Sequence, residues 1–418
     1  MIVKIGKFAA SGRVVAPSSK SEAHRYLIAA ALKKGETIVN NVGFSDDVLI
    51  TAECLRALGA KITFSDGNAS VYGIEKAENG GCLNVSESGS SLRFLMPVVA
   101  ALGVSAKFVC GERLIERPSG ELLAELVRHG EKIEKTADGY VLSGKITSGD
   151  YVIPCGVSSQ FASGLLFALP LLKGESALEI AGEKASNGYI EMTEKVLAEA
   201  GIEIKKAGNK SIIRGENNYM LPSETVVSGD WSAAAFLFCL GAISGDVTVC
   251  GLFGDKQGDR KILDILKAVG ADVTVSSAGV RVRKNRLKPT EQNCSDIPDL
   301  VPPLCALLAY ADGKSTLYGI DRLRFKESDR VAACRDMLKK AGIKTDYNGG
   351  VLDIYGGNPK GGVVFDGFSD HRMVMASAVL ASNLSEKSEV MCAEKTAKSY
   401  PDFFGAIEKL GGKVDVGV

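Results

Sequence analysis

Histidine is scarce in this chain. Three residues, His24, His129 and His371, leave a zinc site few ligands, and no metal is expected. Ten cysteines are scattered singly, most inside apolar stretches such as FLFCL and PPLCALL, and no CxxC pair occurs, so buried free thiols are expected. The longest apolar runs, AAAFLFCLGAI from Ala233 and ASGLLFALPLL from Ala162, fall short of the roughly 20 residues a membrane span needs. Neither sign of charge prevails. Lys plus Arg and Asp plus Glu number 50 each, so no global field draws the chain to nucleic acid or to a membrane surface. GxGxxG and GxSxG are missing, and DGKST at Asp312 has the tail of a phosphate-binding loop without its upstream glycine. No nucleotide cofactor and no hydrolase elbow is indicated. The opening stretch MIVKIGKFAASG alternates like a strand and lacks a signal-peptide core, so a cytoplasmic location is expected.

What is present is ordinary globular composition, 45% hydrophobic and 24% charged, with 47 glycines in 418 residues. That length accommodates two or three domains. One pattern recurs about every 70 residues: small or polar residues leading into an apolar helix, as in SSKSEAHRYLIAAAL at Ser18, SGSSLRFLMPVVAAL at Ser88, SSQFASGLLFALPLL at Ser158, GDWSAAAFLFCLGAI at Gly229, DIPDLVPPLCALLAY at Asp296 and SDHRMVMASAVLAS at Ser369. Between these lie six amphipathic helices, each ending at a glycine: Gly59, Gly130, Gly201, Gly270, Gly342 and Gly411, spaced 71, 71, 69, 72 and 69 apart. Alternating segments fill the gaps, so each unit reads strand, helix, strand, helix, two strands. The sixth unit runs out of chain at KVDVGV, and MIVKIGKF with SGRVVAPSS supplies the strands it lacks. Three units per domain then place residues 1–18 and 228–418 in one discontinuous domain and 19–227 in an inserted one, joined by two crossings.

Helix N-termini carry unpaired N–H groups and about half a positive charge, which suits phosphates and carboxylates. Ser and Asp there are ordinary caps. The cations Lys20, Arg117, Arg330 and Arg372 are not, because the dipole opposes them unless an anion lies between. Basic heads in both predicted domains suggest a cleft that receives two anionic ligands and closes on them.

At these residues the chain resembles the 5-enolpyruvylshikimate-3-phosphate synthase family of enolpyruvyl transferases. The motifs are KSEAHR, SGSSLRFLMP, ERPSG, GVSSQF, SNGYI, DIPD, RFKESDR, SDHRM and KTAKSYPDFF, in the family's order and over essentially the whole length. The resemblance implies an α/β fold, a two-domain inside-out α/β barrel with three βαβαββ units per domain about a pseudo-threefold axis. It also implies transfer of the enolpyruvyl group of phosphoenolpyruvate to the 5-hydroxyl of shikimate 3-phosphate, without metal or cofactor, by a monomer acting on these two small molecules. Carried over by motif, Asp299, Glu327 and Lys20 are catalytic. Shikimate 3-phosphate meets Lys20, Ser21, Arg25, Ser158, Ser159, Gln160, Ser186, Tyr189, Asp299 and Lys326. Phosphoenolpyruvate meets Lys20, Gly89, Arg117, Gln160, Arg330, Arg372 and Lys398. Asp299 would take the hydroxyl proton, while Glu327 or Lys20 protonates the enol methylene.

The chain departs from the family wording in places. Arg322 stands where some members place an asparagine ligand, ESGSSLR keeps only the glycine of a commoner Asn-Ala-Gly-Thr, and Gly188 stands where many have proline. Rival readings are a sister transferase acting on a UDP-sugar, whose first cluster carries Lys-Asn where this chain has Lys20 and Ser21, and a non-catalytic anion sensor. His371 and His24 are expected to pack or hydrogen-bond at their helix heads, and His129 to be a solvated cation at a helix end.

Overall fold

The computed structural model describes residues 1–154, 156, 158–182, 187–253 and 257–417. Two compact units divide the chain, Met1–Pro17 with Ser228–Val418, and Ser18–Val227. Among the described residues there are six four-stranded sheets, three in each unit.

All six sheets share one order: a lead strand runs parallel to a second, which pairs antiparallel with a third, itself antiparallel to a fourth, and in five of the six the third and fourth are the arms of a hairpin. In the inserted unit Gly81–Ser86, Ala106–Cys110, Gly139–Leu142 and Ile133–Thr136 follow this order, as do Asp150–Pro154, Glu175–Ala181, Lys210–Arg214 and Ile204–Ala207. The third sheet, Glu36–Asn40 with Asn68–Tyr72 and Lys61–Ser65, takes its lead strand from Glu224–Val226, so the end of this unit closes onto its beginning. Three residues are too few to register as alternation in the sequence.

The discontinuous unit closes by a different route. Ser11–Val15 is the parallel lead strand for Asp246–Cys250, and Ile2–Ile5 lies antiparallel between Ser388–Met391 and Val414–Gly417, with Ile2 opposite both Met391 and Gly417. Its remaining sheet joins Glu291–Asn293, Gly313–Tyr318, Val351–Gly356 and Lys344–Asn348. At the entry and exit of the inserted unit one side chain serves both ends: Asn41, in the left-handed conformation, accepts from the Ser18 hydroxyl at 3.0 Å and donates to the Val227 carbonyl at 2.8 Å.

The helices fill the interior and the sheets wall it, the inside-out order expected from the family resemblance. Trp231–Ser244, Val301–Leu308 and His371–Ala381 are buried at every residue and pack on one another. In the inserted unit Lys20–Leu32, Gly89–Leu102 and Ser159–Ala168 are nearly as enclosed. A helix apolar all round belongs in a core, and strands with one face buried, such as Gly279–Arg283, suit the wall. Five of these six helices begin at a side-chain cap: Ser19, Ser88, Ser158, Asp230 and Asp370 each accept a backbone N–H of the first turn. The sixth follows the turn Pro298–Leu300 and carries prolines in its first turn, which removes donors instead of capping them.

The second helix of every unit ends alike. The six period glycines have φ between 75° and 108°, and the residue after each returns its N–H to a carbonyl five positions back: Leu55, Leu126, Leu197, Leu266, Leu338 and Ile407. That is the Schellman arrangement. The carbonyl just before each glycine then accepts from the chain leading into the next sheet. Leu58, His129, Ala200, Val269 and Ala341 take the N–H of Glu78, Thr147, Met220, Lys288 and Lys360, whereas Leu410 takes that of Ser11 at 3.0 Å.

His129 differs from expectation. Its ring stacks on Tyr151, centroids 3.6 Å apart and planes 12° from parallel, with Nε2 3.1 Å from the Asp150 carbonyl. Burial, then the neighbouring Arg128, pushes its pKa down, so it is a neutral packed ring and not a solvated cation.

A side chain at Gly130 faces two obstacles: φ is +108° and a Cβ would lie 2.8 Å from the Lys145 carbonyl oxygen, whereas at Gly411, φ +93°, the nearest atom is 3.7 Å away. Gly411→Ala is expected to cost about 1–2 kcal/mol for the left-handed conformation alone, and Gly130→Ala clearly more. Denaturant midpoints of the two variants check this order.

Candidate functional site

In the discontinuous unit the three enclosed helices bring their N-termini together, and the charged heads form a network of ion pairs. Arg330, 1% exposed, is its hub: Nε donates to Asp370 Oδ2 at 2.7 Å, Nη1 to Asp299 Oδ1 at 2.8 Å, and Nη2 to Glu327 Oε2 at 2.7 Å and Asp370 Oδ1 at 3.2 Å. Four of its five N–H groups are therefore used within the chain. Burial works against its charge, but Asp370, Glu327 and Asp299 outweigh burial and hold the guanidinium firmly charged.

Asp370 is itself fully buried. It caps its helix through the Arg372 N–H at 3.0 Å and accepts from Ser328 Oγ at 3.0 Å. Asp299 also meets Lys326 Nζ at 3.5 Å and Arg372 Nη2 at 3.3 Å. Burial pushes its carboxyl up, yet Arg372, Lys326 and Arg330 together hold it well below the usual carboxylate range. The charge of Arg330 at its helix head is thus met by acids of its own unit, with one N–H left for an outside anion. His371 is buried beside Asp370, Nδ1 to Oδ1 3.7 Å. Lys398 ends the turn Ala393–Lys398, which packs on the helix His371–Ala381. Arg322 donates to the Ser295 carbonyl.

Sequence reasoning passed over a second layer of this cluster. Gln257 accepts the Trp231 N–H at 3.0 Å and donates to Asp230 Oδ1 at 3.1 Å and Ser232 Oγ at 2.6 Å, and Ser232 in turn donates to the buried Asp259. Burial, then the charge on Asp299, pushes the Asp259 carboxyl up to about 7. The signal was the repeat: QGDR precedes the second helix of the fourth unit, the same place as SDD at Ser45 and KESDR at Lys326.

The inserted unit holds its own cluster. Lys20 Nζ pairs with Asp47 Oδ2 at 2.7 Å, both side chains largely covered. Arg25 is 2% exposed and forms no ion pair with a carboxylate among the described residues; it donates to Thr193 Oγ1 at 2.8 Å, the Ser21 carbonyl at 2.6 Å, Ser163 Oγ at 3.3 Å and the Tyr189 carbonyl at 2.9 Å, with Phe94 beneath it. Burial pushes its pKa down to about 10. Gly89 opens the helix Gly89–Leu102 under two guanidinium groups, and a Cβ there would lie 3.1 Å from Arg117 Nη1 and 3.3 Å from Arg93 Nη1. Gln160 joins the group, accepting from Arg93 at 2.8 Å and donating to Ser90 Oγ at 2.9 Å. Ser158 caps Gln160, and Ser159 begins that helix. Ser186 lies outside the described residues.

Each cluster therefore gathers arginine and lysine near helix N-termini, an arrangement that receives small anions. Among the described residues no group of three or more His, Cys, Asp or Glu is placed to hold a metal ion, and no helix is long and apolar enough to cross a membrane.

Known proteins resemble this chain over nearly its whole length. The EPSP synthase (3-phosphoshikimate 1-carboxyvinyltransferase) family matches residues 6–407. The chain is 36% identical to the 3-phosphoshikimate 1-carboxyvinyltransferase of Clostridium kluyveri, over 99% of this chain and 98% of that one. It is 34% identical to that of Archaeoglobus fulgidus, over 99% of each. Among solved structures, EPSP synthase from Acinetobacter baumannii superposes with a TM-score of 0.83 at 25% identity, covering 99% of this chain and 100% of that one. The ion-pair hub at Arg330, the glycine beneath Arg117 and the sixfold plan accordingly sit in a chain that belongs to the EPSP synthase family.

Proposed function

We propose that this chain transfers the enolpyruvyl group of phosphoenolpyruvate to the 5-hydroxyl of shikimate 3-phosphate, with release of phosphate. It is a 3-phosphoshikimate 1-carboxyvinyltransferase of the shikimate pathway. The observation that carries the reading is the carboxylate of Asp299 set between Arg330, Lys326 and Arg372. It combines an acceptor for a hydroxyl proton with cations for an anionic reactant.

Shikimate 3-phosphate is assigned to Lys20, Ser21, Arg25, Ser158, Ser159, Gln160, Tyr189, Asp299 and Lys326, and phosphoenolpyruvate to Lys20, Gly89, Arg117, Gln160, Arg330, Arg372 and Lys398. Arg25 supports this division. A buried guanidinium hydrogen-bonded to neutral oxygens, with Glu22 acting on it only from a distance, keeps one Nη1–H for an anion.

Three cations make Asp299 a weak base in the free protein. A phosphate or carboxylate that draws on Arg372 and Lys326, and adds negative potential of its own, raises the basicity of Asp299. The base is thereby readied only when substrates are present. Asp299 takes the 5-hydroxyl proton as the oxygen bonds to C2 of phosphoenolpyruvate, and Glu327 or Lys20 gives a proton to the methylene carbon. The tetrahedral adduct then loses phosphate, which carries off the proton held by Asp299, as a methyl proton returns to Glu327 or Lys20, and the carbon–carbon double bond re-forms in the product enol ether. Cations around the departing phosphate stabilise its charge. Nothing in the comparisons favours transfer to a UDP-sugar.

Purified protein is expected to release phosphate from phosphoenolpyruvate only when shikimate 3-phosphate is present; release with a UDP-sugar in its place would overturn the assignment. Asp299→Asn should lower kcat by about 10²–10⁴, the usual worth of a positioned base, with the circular dichroism spectrum unchanged. Arg372→Gln removes a charge-assisted contact worth about 1.5–3 kcal/mol, so the phosphoenolpyruvate KM should rise by roughly tenfold or more, well above the change for shikimate 3-phosphate. At pH 8 the Asp259 carboxyl is mostly ionised, and bound anions favour its protonated form. Substrate binding at that pH should then take up protons, measured by calorimetry in buffers of different ionisation heat, and Asp259→Asn should lose that uptake.

A further inference from the structure

Lys20 and His24 are four residues apart on one helix, and Asp47 and Thr51 four apart on the next, so each pair lies on one helix face, one turn apart. The Lys20–Asp47 ion pair at 2.7 Å is one rung between these helices. A second lies one turn deeper, where His24 Nδ1 is 2.7 Å from Thr51 Oγ1. Thr51 Oγ1 is also 2.7 Å from Ser91 Oγ, and Ser91 Oγ is 2.7 Å from Ser88 Oγ, the cap of the helix that Gly89 opens. His24, Thr51, Ser88 and Ser91 are fully buried.

Counting protons gives this chain of hydroxyls a direction. For all of these contacts to be hydrogen bonds at once, the Thr51 proton must go to the Asp47 carbonyl, 3.2 Å from Thr51 Oγ1, which can only accept. Thr51 then receives Ser91 O–H on one lone pair and His24 Nδ1–H on the other, and Ser91 receives Ser88 O–H. Every hydroxyl proton is used, and His24 supplies the donor that completes the set. The ring edge of His24 against Phe94, centroids 6.3 Å apart and planes at 88°, fixes it to the same third helix.

We propose that His24 is a positioning residue: through Thr51 and Ser91 it locks the helix head bearing Gly89 and Ser90 to the heads bearing Lys20 and Asp47. The inference rests on the reading that these heads receive phosphoenolpyruvate. With the lock in place, the spacing between Lys20 and the Gly89 head is fixed before any ligand arrives. Without it, the anion must gather the two heads itself, a loss that falls on binding more than on the chemical step.

Three variants test this. Thr51→Val removes the hydroxyl at nearly constant volume, His24→Phe removes the Nδ1 donor, and His24→Asn keeps a donor near the Nδ1 position. In Thr51→Val and His24→Phe the phosphoenolpyruvate KM should rise about tenfold or more with kcat changed less than about threefold, the double variant should be no worse than either single one, and His24→Asn should stay close to the parent. In the ligand-free protein, amide hydrogen exchange at Gly89, Ser90 and Ser91 should quicken in the two disrupting variants and not in His24→Asn. A lowered melting temperature with unchanged KM and unchanged exchange at those amides would overturn the proposal, as would His24→Asn behaving like His24→Phe. The exchange measurement needs no turnover: a parent protein inactive on the two substrates would sink the functional reading while the exchange data still decide the role of His24.

Discussion

A guanidinium buried beneath three carboxylates organises the discontinuous unit. Arg330 could not remain charged at 1% exposure without Asp370, Asp299 and Glu327, and those acids could not share so small a volume without it. Removing one partner of such a buried set typically costs about 3–5 kcal/mol, because the others are left uncompensated. The network also joins three separate helix heads, so the same bonds that hold the unit's charged end together fix where Lys326 and Arg372 stand. On the proposed assignment function and stability draw on one set of contacts here, which limits how freely either can change.

The two units solve the same problem with different chemistry. The discontinuous unit surrounds its arginine with acids, and the inserted unit surrounds Arg25 with carbonyls and hydroxyls. One cation is paired directly with carboxylates, and the other is hydrogen-bonded to neutral oxygens.

The architecture was legible in the sequence because the repeat leaves a periodic mark that packing cannot disguise. A Schellman turn needs a left-handed residue, glycine supplies it most cheaply, and six such turns at near-constant spacing count the units directly. The heads were legible for a related reason: cations at helix N-termini oppose the dipole and call for explanation. What stayed hidden depends on contacts between residues far apart in the chain. No local pattern reveals that Arg330 is satisfied internally, that His129 stacks on Tyr151, or that His24 reaches Ser91 through Thr51. Gln257 and Asp259 are the instructive omission, because applying the repeat to the fourth unit as strictly as to the others would have drawn attention to them.

Asn41 holds both ends of the inserted unit, bonding Ser18 with one side-chain atom and Val227 with the other. A segment whose two ends are fastened at one residue occupies, from its host's standpoint, no more room at the point of attachment than a surface loop. One three-unit ring can therefore be spliced into another at a single site without stretching the recipient.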